Sequence, residues 1–153
     1  MTRTHGALLA AAAMLIALSS AGGARPVEER VVLVADQVVT EITGFTTPSG
    51  NIGCYIGPEY VRCDIRERDW APPPRPADCP DFTDFGQGLQ IADGDATFVC
   101  AGDTALNSDS VVDYGDSISS GSLRCEVRTK GVNCAAAASG HGFFLARDGF
   151  DFY

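Results

Sequence analysis

The chain has 153 residues, with 11 basic side chains against 20 acidic ones and a net charge of −9. This acidity disfavours nucleic acids and anionic membrane surfaces as partners, because both are negatively charged. Its six cysteines, an even number, are typical of a disulfide-bonded protein outside the cytoplasm.

Residues 1–24 have the pattern of a secretory signal peptide. Arg3 precedes an apolar run that ends at Leu18, and small residues suited to cleavage follow it. Cleavage after Ala21 fits as well as cleavage after Ala24. The run is too short to span a bilayer, so we expect a soluble protein that is extracellular or in the cell envelope, with no stable membrane span.

Residues 25–44 form a lead-in segment rich in β-branched side chains between Val31 and Thr40. An edge strand and a flexible lead-in both fit this composition. We place a single disulfide-stabilised domain at residues 45–153.

The domain contains two stretches with the same cysteine spacing, 71 residues apart. Side chains alternate along a strand, so folding each stretch into a hairpin about its midpoint puts its cysteines opposite each other on one face. The predicted pairs are Cys54 with Cys63, Ile56 with Val61, Cys125 with Cys134, and Val127 with Val132. Opposed residues of antiparallel strands are close enough for a disulfide, which predicts Cys54–Cys63 and Cys125–Cys134. Cys79–Cys100 follows by elimination.

Between the two hairpins, Trp70 opens a proline-rich stretch that runs to Pro76 and predicts a stiff crossover ending at Cys79. Asp93-Gly94, flanked by alternating apolar residues, predicts a tight hairpin that pairs Leu89 with Phe98.

Towards the C-terminus, Val111–Tyr114 is predicted to be a short strand. Residues 141–147 are apolar on both faces, which predicts a central strand. A turn at Asp148-Gly149 follows. The mature chain has no sustained helical periodicity, so we predict an all-β fold, a small disulfide-stabilised sandwich or barrel built from short hairpins.

The mature chain has a single histidine, His141, in the sequence Ser139-Gly140-His141-Gly142. It is the one side chain that normally titrates near neutral pH, so it is the candidate catalytic residue of a hydrolase. Spacing alone identifies no Ser or Asp partner. We favour a structural role, in which His141 caps a strand by hydrogen bonding.

Metal chemistry has little support in the sequence. Paired cysteines leave too few ligands for zinc. Six aspartates fall in predicted turns, but none belongs to a dedicated calcium loop: Asp93, Asp95, Asp103, Asp109, Asp113 and Asp116. We expect no metal and no cofactor.

Tyr55, Tyr60 and Trp70 offer aromatic surfaces that could stack on sugars, and paired carboxylates could cleave a glycosidic bond. Twenty acidic residues make the choice of any one pair arbitrary. We favour packing of these aromatic rings under the proline-rich crossover.

Several separated sequence blocks stand out, namely Ser49-Gly50-Asn51-Ile52-Gly53-Cys54, Val61-Arg62-Cys63-Asp64-Ile65, Trp70-Ala71-Pro72-Pro73-Pro74, Cys100-Ala101-Gly102-Asp103-Thr104 and Gly140-His141-Gly142-Phe143. Taken together, they resemble a family of small secreted actinobacterial proteins of unknown function. The resemblance covers about residues 45–153 and implies no activity, cofactor or catalytic residue. A departure from the family pattern lies at residues 81–86, where we expect a shorter Asp-Trp-Gly segment.

Three functions remain open at this point. The first is an exported binding or structural module for an unknown protein or cell-envelope ligand. The second is a secreted hydrolase that uses His141. The third is a secreted enzyme inhibitor that presents residues 66–76 as a constrained loop.

Overall fold

The computed structural model describes residues 35–108 and 110–153. The predicted signal peptide, residues 25–34 of the lead-in and Asp109 lie outside the described residues. No helix within the described ranges is long and apolar enough to cross a membrane.

Eleven strands account for the regular structure of the described residues, and none of these residues is helical. The strands are β1 (Asp36–Val38), β2 (Thr43–Thr46), β3 (Ile52–Ile56), β4 (Tyr60–Ile65), β5 (Asp84–Ala92), β6 (Asp95–Ala101), β7 (Ser117–Ser120), β8 (Leu123–Arg128), β9 (Gly131–Ala136), β10 (Gly142–Ala146) and β11 (Phe150–Phe152).

The strands form two sheets, and each sheet contains a five-stranded antiparallel meander. The first meander runs β2-β3-β4-β5-β6, and the second runs β7-β8-β9-β10-β11. Strand β1 adds to the second sheet as a parallel edge strand beside β7. The predicted all-β class is confirmed, and the architecture is a sandwich of two sheets.

The cysteine hairpins are the centres of the two meanders, and their predicted register is confirmed. Cys54 lies opposite Cys63 in the first, and Cys125 lies opposite Cys134 in the second. The structure contains the disulfides Cys54–Cys63, Cys79–Cys100 and Cys125–Cys134, which are the predicted pairs.

The duplication extends beyond the hairpins to the strands on either side. Phe45 of β2 pairs with Cys54, as Ile118 of β7 pairs with Cys125. On the other side, Leu89 of β5 pairs with Cys63, as Phe143 of β10 pairs with Cys134. Each residue of the first cysteine hairpin corresponds to the residue 71 positions later in the second. Each residue of β10, the strand after the second hairpin, corresponds to the residue 54 positions earlier in β5.

The hydrophobic core lies between the two meanders and has the cystines at its centre. Sγ of Cys63 lies 3.8 Å from Sγ of Cys134, so the two hairpin disulfides pack against each other. Around them, a single cluster of buried side chains draws on both sheets. Burial of this apolar area, at about 25 cal/mol per Å², is the main stabilising term of such a fold.

Two glycines at corresponding positions mark close backbone contacts. A Cβ atom on Gly88 of β5 would clash with the carbonyl oxygen of Cys63, and one on Gly142 of β10 would clash with that of Cys134. Both meanders therefore need glycine beside the strand that carries the second cysteine.

Most sequence-predicted elements are in place. The Asp93-Gly94 hairpin joins β5 to β6 with Leu89 opposite Phe98. Residues 142–146 form the central strand β10 between β9 and β11. The described part of the lead-in contains the edge strand β1, and β2 begins two residues before the boundary at residue 45.

The predicted strand at Val111–Tyr114 is wrong. Val111 makes one isolated parallel bridge with Thr46, and the N–H of Val112 donates to the carbonyl oxygen of Thr46. A turn then closes, in which the N–H of Asp116 donates to the carbonyl oxygen of Asp113 and Gly115 has a φ of 98°. The left-handed conformation at Gly115 ends the extended chain before a ladder can form.

Candidate functional site

His141 lies in the loop between β9 and β10, and its side chain is 51% exposed. Its Nδ1 is 3.0 Å from the carbonyl oxygen of Gly94 and 2.9 Å from Oδ1 of Asp95. Both neighbours are hydrogen-bond acceptors, so the hydrogen bonds require the proton on Nδ1. The histidine thus joins the second meander to the β5–β6 turn of the first.

The hydroxyl of Ser139, two residues before this histidine, hydrogen-bonds to backbone groups. Ser139 Oγ donates to the carbonyl oxygen of Gly94 at 3.1 Å and accepts the backbone N–H of His141 at 3.2 Å. A serine nucleophile needs its Oγ–H to donate to the imidazole of its base. The side chains of Asp95, His141 and Ser139 are close together, but they are not hydrogen-bonded as a catalytic triad. Their hydrogen bonds connect the two sheets, and we call this contact the clasp.

A second polar cluster covers the outer face of the first meander. Arg62 on β4 is 4% exposed and Asp64 is fully buried. The guanidinium donates to both oxygens of Asp64 at 2.8 and 2.7 Å, and to Oδ1 of Asp103 at 2.6 Å. Asp64 Oδ2 also accepts the backbone N–H of Ala105. These bonds hold residues 103–105 against the sheet.

The ion pairs set the protonation of this cluster. Burial opposes the positive charge of Arg62, but hydrogen bonds and charge from Asp64 and Asp103 outweigh burial and raise the pKa of the guanidinium. The hydrogen bond from Arg62, together with its charge, holds the pKa of Asp103 below its usual range. Every charge in the cluster has a partner, as a structural network requires.

Trp70 packs in an aromatic cluster and not on an open surface. Its ring lies 4.8 Å from that of Phe150 and 6.4 Å from that of Phe98, measured between centroids. Its Nε1–H donates to the carbonyl oxygen of Ala146 at 2.9 Å, and the Arg68 guanidinium lies 4.6 Å from its ring centroid. Trp70 therefore fastens the crossover to the second sheet.

A different set of residues forms an open groove at one end of the sandwich, with a volume of about 380 Å³. We call it the basic groove. It is built from the β2–β3 turn, the chain just after β4, the β8–β9 turn and the end of β10, so both meanders contribute. Its cations are Arg66, Arg128, Lys130 and Arg147.

The walls of the basic groove are held by hydrogen bonds between backbone groups and by the side-chain amide of Asn51. Asn51 in the β2–β3 turn receives the N–H of Glu67 on its Oδ1 at 2.8 Å and donates its Nδ2 to the carbonyl oxygen of Glu67 at 3.0 Å. The backbone carbonyl oxygen of Asn51 accepts a hydrogen bond from the N–H of Arg66 at 2.9 Å. The N–H of Asp69 donates to the carbonyl oxygen of Arg147, which ties this wall to the second sheet. The groove is therefore preorganised.

The four cations of the basic groove differ in their partners. Arg147 pairs with Glu67 at 3.0 Å, and Arg128 pairs with Glu126 at 2.6 Å. Among the residues that the structure describes, neither Arg66 nor Lys130 has an ion-pair partner. Two positive charges thus face the groove without a neutralising carboxylate.

A family model described as "Family of unknown function (DUF6636)" matches residues 29–152 of the chain. The chain belongs to the DUF6636 family. No curated protein and no solved structure shows significant similarity to it.

In this DUF6636 chain, most sequence blocks noted above form structural contacts. Arg62, Asp64 and Asp103 make the buried ion-pair network. Gly53 lets the backbone of Ala105 approach, because a Cβ atom there would clash with the Ala105 carbonyl oxygen. His141 makes the clasp to Gly94 and Asp95. Only the block containing Ser49, Gly50 and Asn51 lines the basic groove.

The opposite end of the DUF6636 sandwich has a corresponding groove of about 360 Å³, which we call the acidic groove. It is built from the β3–β4, β5–β6 and β7–β8 turns and the chain after β9. At the 71-residue offset Lys130 corresponds to Glu59, and at the 54-residue offset Arg147 corresponds to Asp93. Both acidic residues line this groove.

The carboxylates of the predicted turns do not gather into a metal site. In residues 35–108 and 110–153, the only group of three possible ligand side chains is Cys63, Cys125 and Cys134, whose sulfurs are all in disulfides. Asp109 lies outside the described residues. The expectation that no metal is bound stays a prediction.

The sequence pattern did not identify the basic groove. Its cations come from both meanders, and even the two that are closest in sequence across the meanders, Arg66 and Arg128, are 62 positions apart. They converge only when the two meanders pack. One signal was present in the sequence: Lys130 occupies the midpoint turn of the second hairpin, where the first has Glu59.

Proposed function

We propose that this protein is an exported binding module that holds an anionic ligand in the basic groove. The observation that carries the proposal is the convergence of Arg66, Arg128, Lys130 and Arg147 on one groove. They are four of the 11 basic residues in a chain whose net charge is −9.

Charge clustering of this kind works against folding, because like charges gathered in one groove repel each other. A purely solvated surface would be expected to spread its cations among the carboxylates. Here the preorganised walls hold Arg66 and Lys130 at the groove without carboxylate partners among the described residues. An anionic ligand supplies the missing counter-charge, and the rigid site lowers the entropy lost on binding.

The compartment fits an exported module. Three disulfides are typical of proteins that fold in an oxidising environment. Together with the signal-peptide pattern of residues 1–24, they support action in the extracellular space or at the cell envelope. The acidic remainder of the surface favours a compact anion over a long polyanion.

The hydrolase and inhibitor hypotheses have less support. A hydrolase based on His141 needs a nucleophile, and the Ser139 hydroxyl already donates to Gly94. An inhibitor presenting residues 66–76 has the exposure that it needs along most of that segment, but Trp70 within it packs against Phe150 and is not available to a target enzyme. Binding in the basic groove instead uses Arg66 and Lys130, which have no ion-pair partner among the residues that the structure describes.

The proposal is tested by titrating ¹⁵N-labelled protein with sodium glucuronate and, separately, with glycerol 3-phosphate at constant ionic strength. We expect saturable shifts for backbone amides of residues 47–52, 66–67 and 128–131 with at least one of these anions. The double variant R66Q/K130Q should lose the shifts.

The matched control is R75Q/R124Q, which removes the same charge elsewhere and should retain the shifts. Melting curves of both variants report whether the fold is intact. If neither anion produces saturable shifts at the groove of the wild-type protein, the proposed function is wrong.

A further inference from the structure

Building on the proposed binding function, we infer that the ligand of the basic groove is a phosphate monoester of a small polyol or sugar. The proposal assigns the phosphate to the space between Arg66 and Lys130. The rest of the ligand lies along the polar walls of the groove. Three features of the groove support this assignment over a simple carboxylate.

The first feature is the direction from which the cations approach. Arg66 follows β4 in the first sheet. Arg128 is the last residue of β8, Lys130 lies in the β8–β9 turn, and Arg147 follows β10 in the second sheet. A carboxylate has two oxygens in one plane, and a single guanidinium fork satisfies it. A tetrahedral phosphate presents three oxygens to donors on several sides, as this arrangement requires.

The second feature is the amount of unneutralised charge. Arg128 and Arg147 each have a carboxylate partner, whereas Arg66 and Lys130 have none among the described residues. A phosphate monoester carries about −1.5 to −2 charges at pH 7. It therefore balances two cations, while a carboxylate leaves one of them uncompensated.

The third feature is the space beside the cations. The groove volume of about 380 Å³ falls at the lower end of the range for small-molecule sites, which is about 300–1,000 Å³. The side chains of Ser49, Thr129 and Tyr114 line the same groove, and Tyr114 is 41% exposed. Hydroxyl groups and a partly exposed aromatic ring suit a polyol or sugar better than an apolar ligand.

The acidic groove provides the internal contrast. In the acidic groove, Glu59 takes the position of Lys130 and Asp93 takes the position of Arg147. The corresponding positions therefore repel an anion at this end of the sandwich. Phosphate binding is therefore expected at one end of the molecule only.

The test compares the affinities of the wild-type protein for glycerol 3-phosphate and sodium glucuronate, measured by calorimetry or amide shifts at pH 7.5 and constant ionic strength. We expect glycerol 3-phosphate to bind at least tenfold more tightly. Its affinity should fall severalfold at pH 5, because a phosphate monoester takes up a proton with a pKa of about 6 and becomes a monoanion. The affinity for glucuronate should change much less over this range.

The outcomes separate this inference from the proposed function. Equal or tighter binding of glucuronate at the groove would overturn the phosphate assignment and leave an anion-binding groove in place. Glycerol 3-phosphate binding that does not weaken at pH 5 would also overturn it. If neither anion binds, the proposed function of the basic groove is wrong as well. The K130Q variant should lose most of the affinity for glycerol 3-phosphate, whereas E59Q in the acidic groove should bind it like the wild type.

Discussion

The two meanders share one core register but differ in what surrounds it. Arg62 of the first is buried under residues 103–105, whereas the corresponding Asn133 of the second is half-buried and its side chain accepts a hydrogen bond from the hydroxyl of Tyr153. At the ends of the sandwich, Lys130 replaces the corresponding Glu59. The duplicated cysteine hairpins thus specify the fold, and residues outside the shared core register give each copy its own role.

The difference between the two outer faces predicts unequal costs for equivalent substitutions. R62A leaves the buried carboxylate of Asp64 without its cation, which typically costs about 3–5 kcal/mol of unfolding free energy. N133A removes one exposed hydrogen bond to Tyr153, which is worth about 1 kcal/mol or less. Urea unfolding of both variants measures the comparison. Equal losses would mean that the ion-pair network adds nothing to the first meander.

The shared core predicts equal costs for the two hairpin disulfides. Each closes a loop with a sequence separation of 9 residues, for which chain entropy gives about 2.7 kcal/mol. C54A/C63A and C125A/C134A should therefore lower the unfolding free energy by similar amounts. A difference of more than about 2 kcal/mol, measured by urea unfolding, would show that the meanders are not energetically equivalent.

The clasp between the meanders predicts a smaller effect. H141Q loses the ring contact to Asp95 and should cost about 1 kcal/mol of stability. Affinity for glycerol 3-phosphate should be unchanged, because His141 lies outside the basic groove. Unchanged stability with lost binding or activity would instead favour the hydrolase hypothesis for His141.

The smallest effect is an acid sensitivity. Hydrogen bonds from Arg62 lower the pKa of Asp103 in the folded protein, so its contribution is present above its unfolded pKa of about 4 and is lost as the pH falls through the folded value. The side chain of Asp103 is largely exposed, which limits the contribution to under about 1 kcal/mol. Unfolding free energies from pH 6 to pH 2 should fall less steeply for D103N than for the wild type. An identical slope would exclude Asp103 from the acid response.

Much of the fold was predictable because it follows from local periodicity. Equal spacing of Cys54 to Cys63 and of Cys125 to Cys134 determined two hairpin registers, and Asp93-Gly94 determined a third. Strand β7 was missed, because Ile118 is its only apolar residue and its pairing with β8 is tertiary.

The candidate site was less predictable for a different physical reason. Arg66 and Lys130 are separated by 64 positions in the sequence, and no periodic pattern connects turns that meet only after two sheets pack. His141 is conspicuous in the sequence because it is the one histidine of the mature chain. Its hydrogen bonds to Gly94 and Asp95 could not be read from spacing.

The central claim is that an anion occupies the basic groove, and the chemistry of the chain offers a direct measurement of it. Lys130 is the only lysine in the sequence. Its rate of acylation by acetic anhydride can be followed by mass spectrometry of the digested protein, with the N-terminal amine as the internal control. We predict that saturating glycerol 3-phosphate slows acylation of Lys130 severalfold and leaves the N-terminal rate unchanged. Equal rates at Lys130 with and without the ligand would contradict the account.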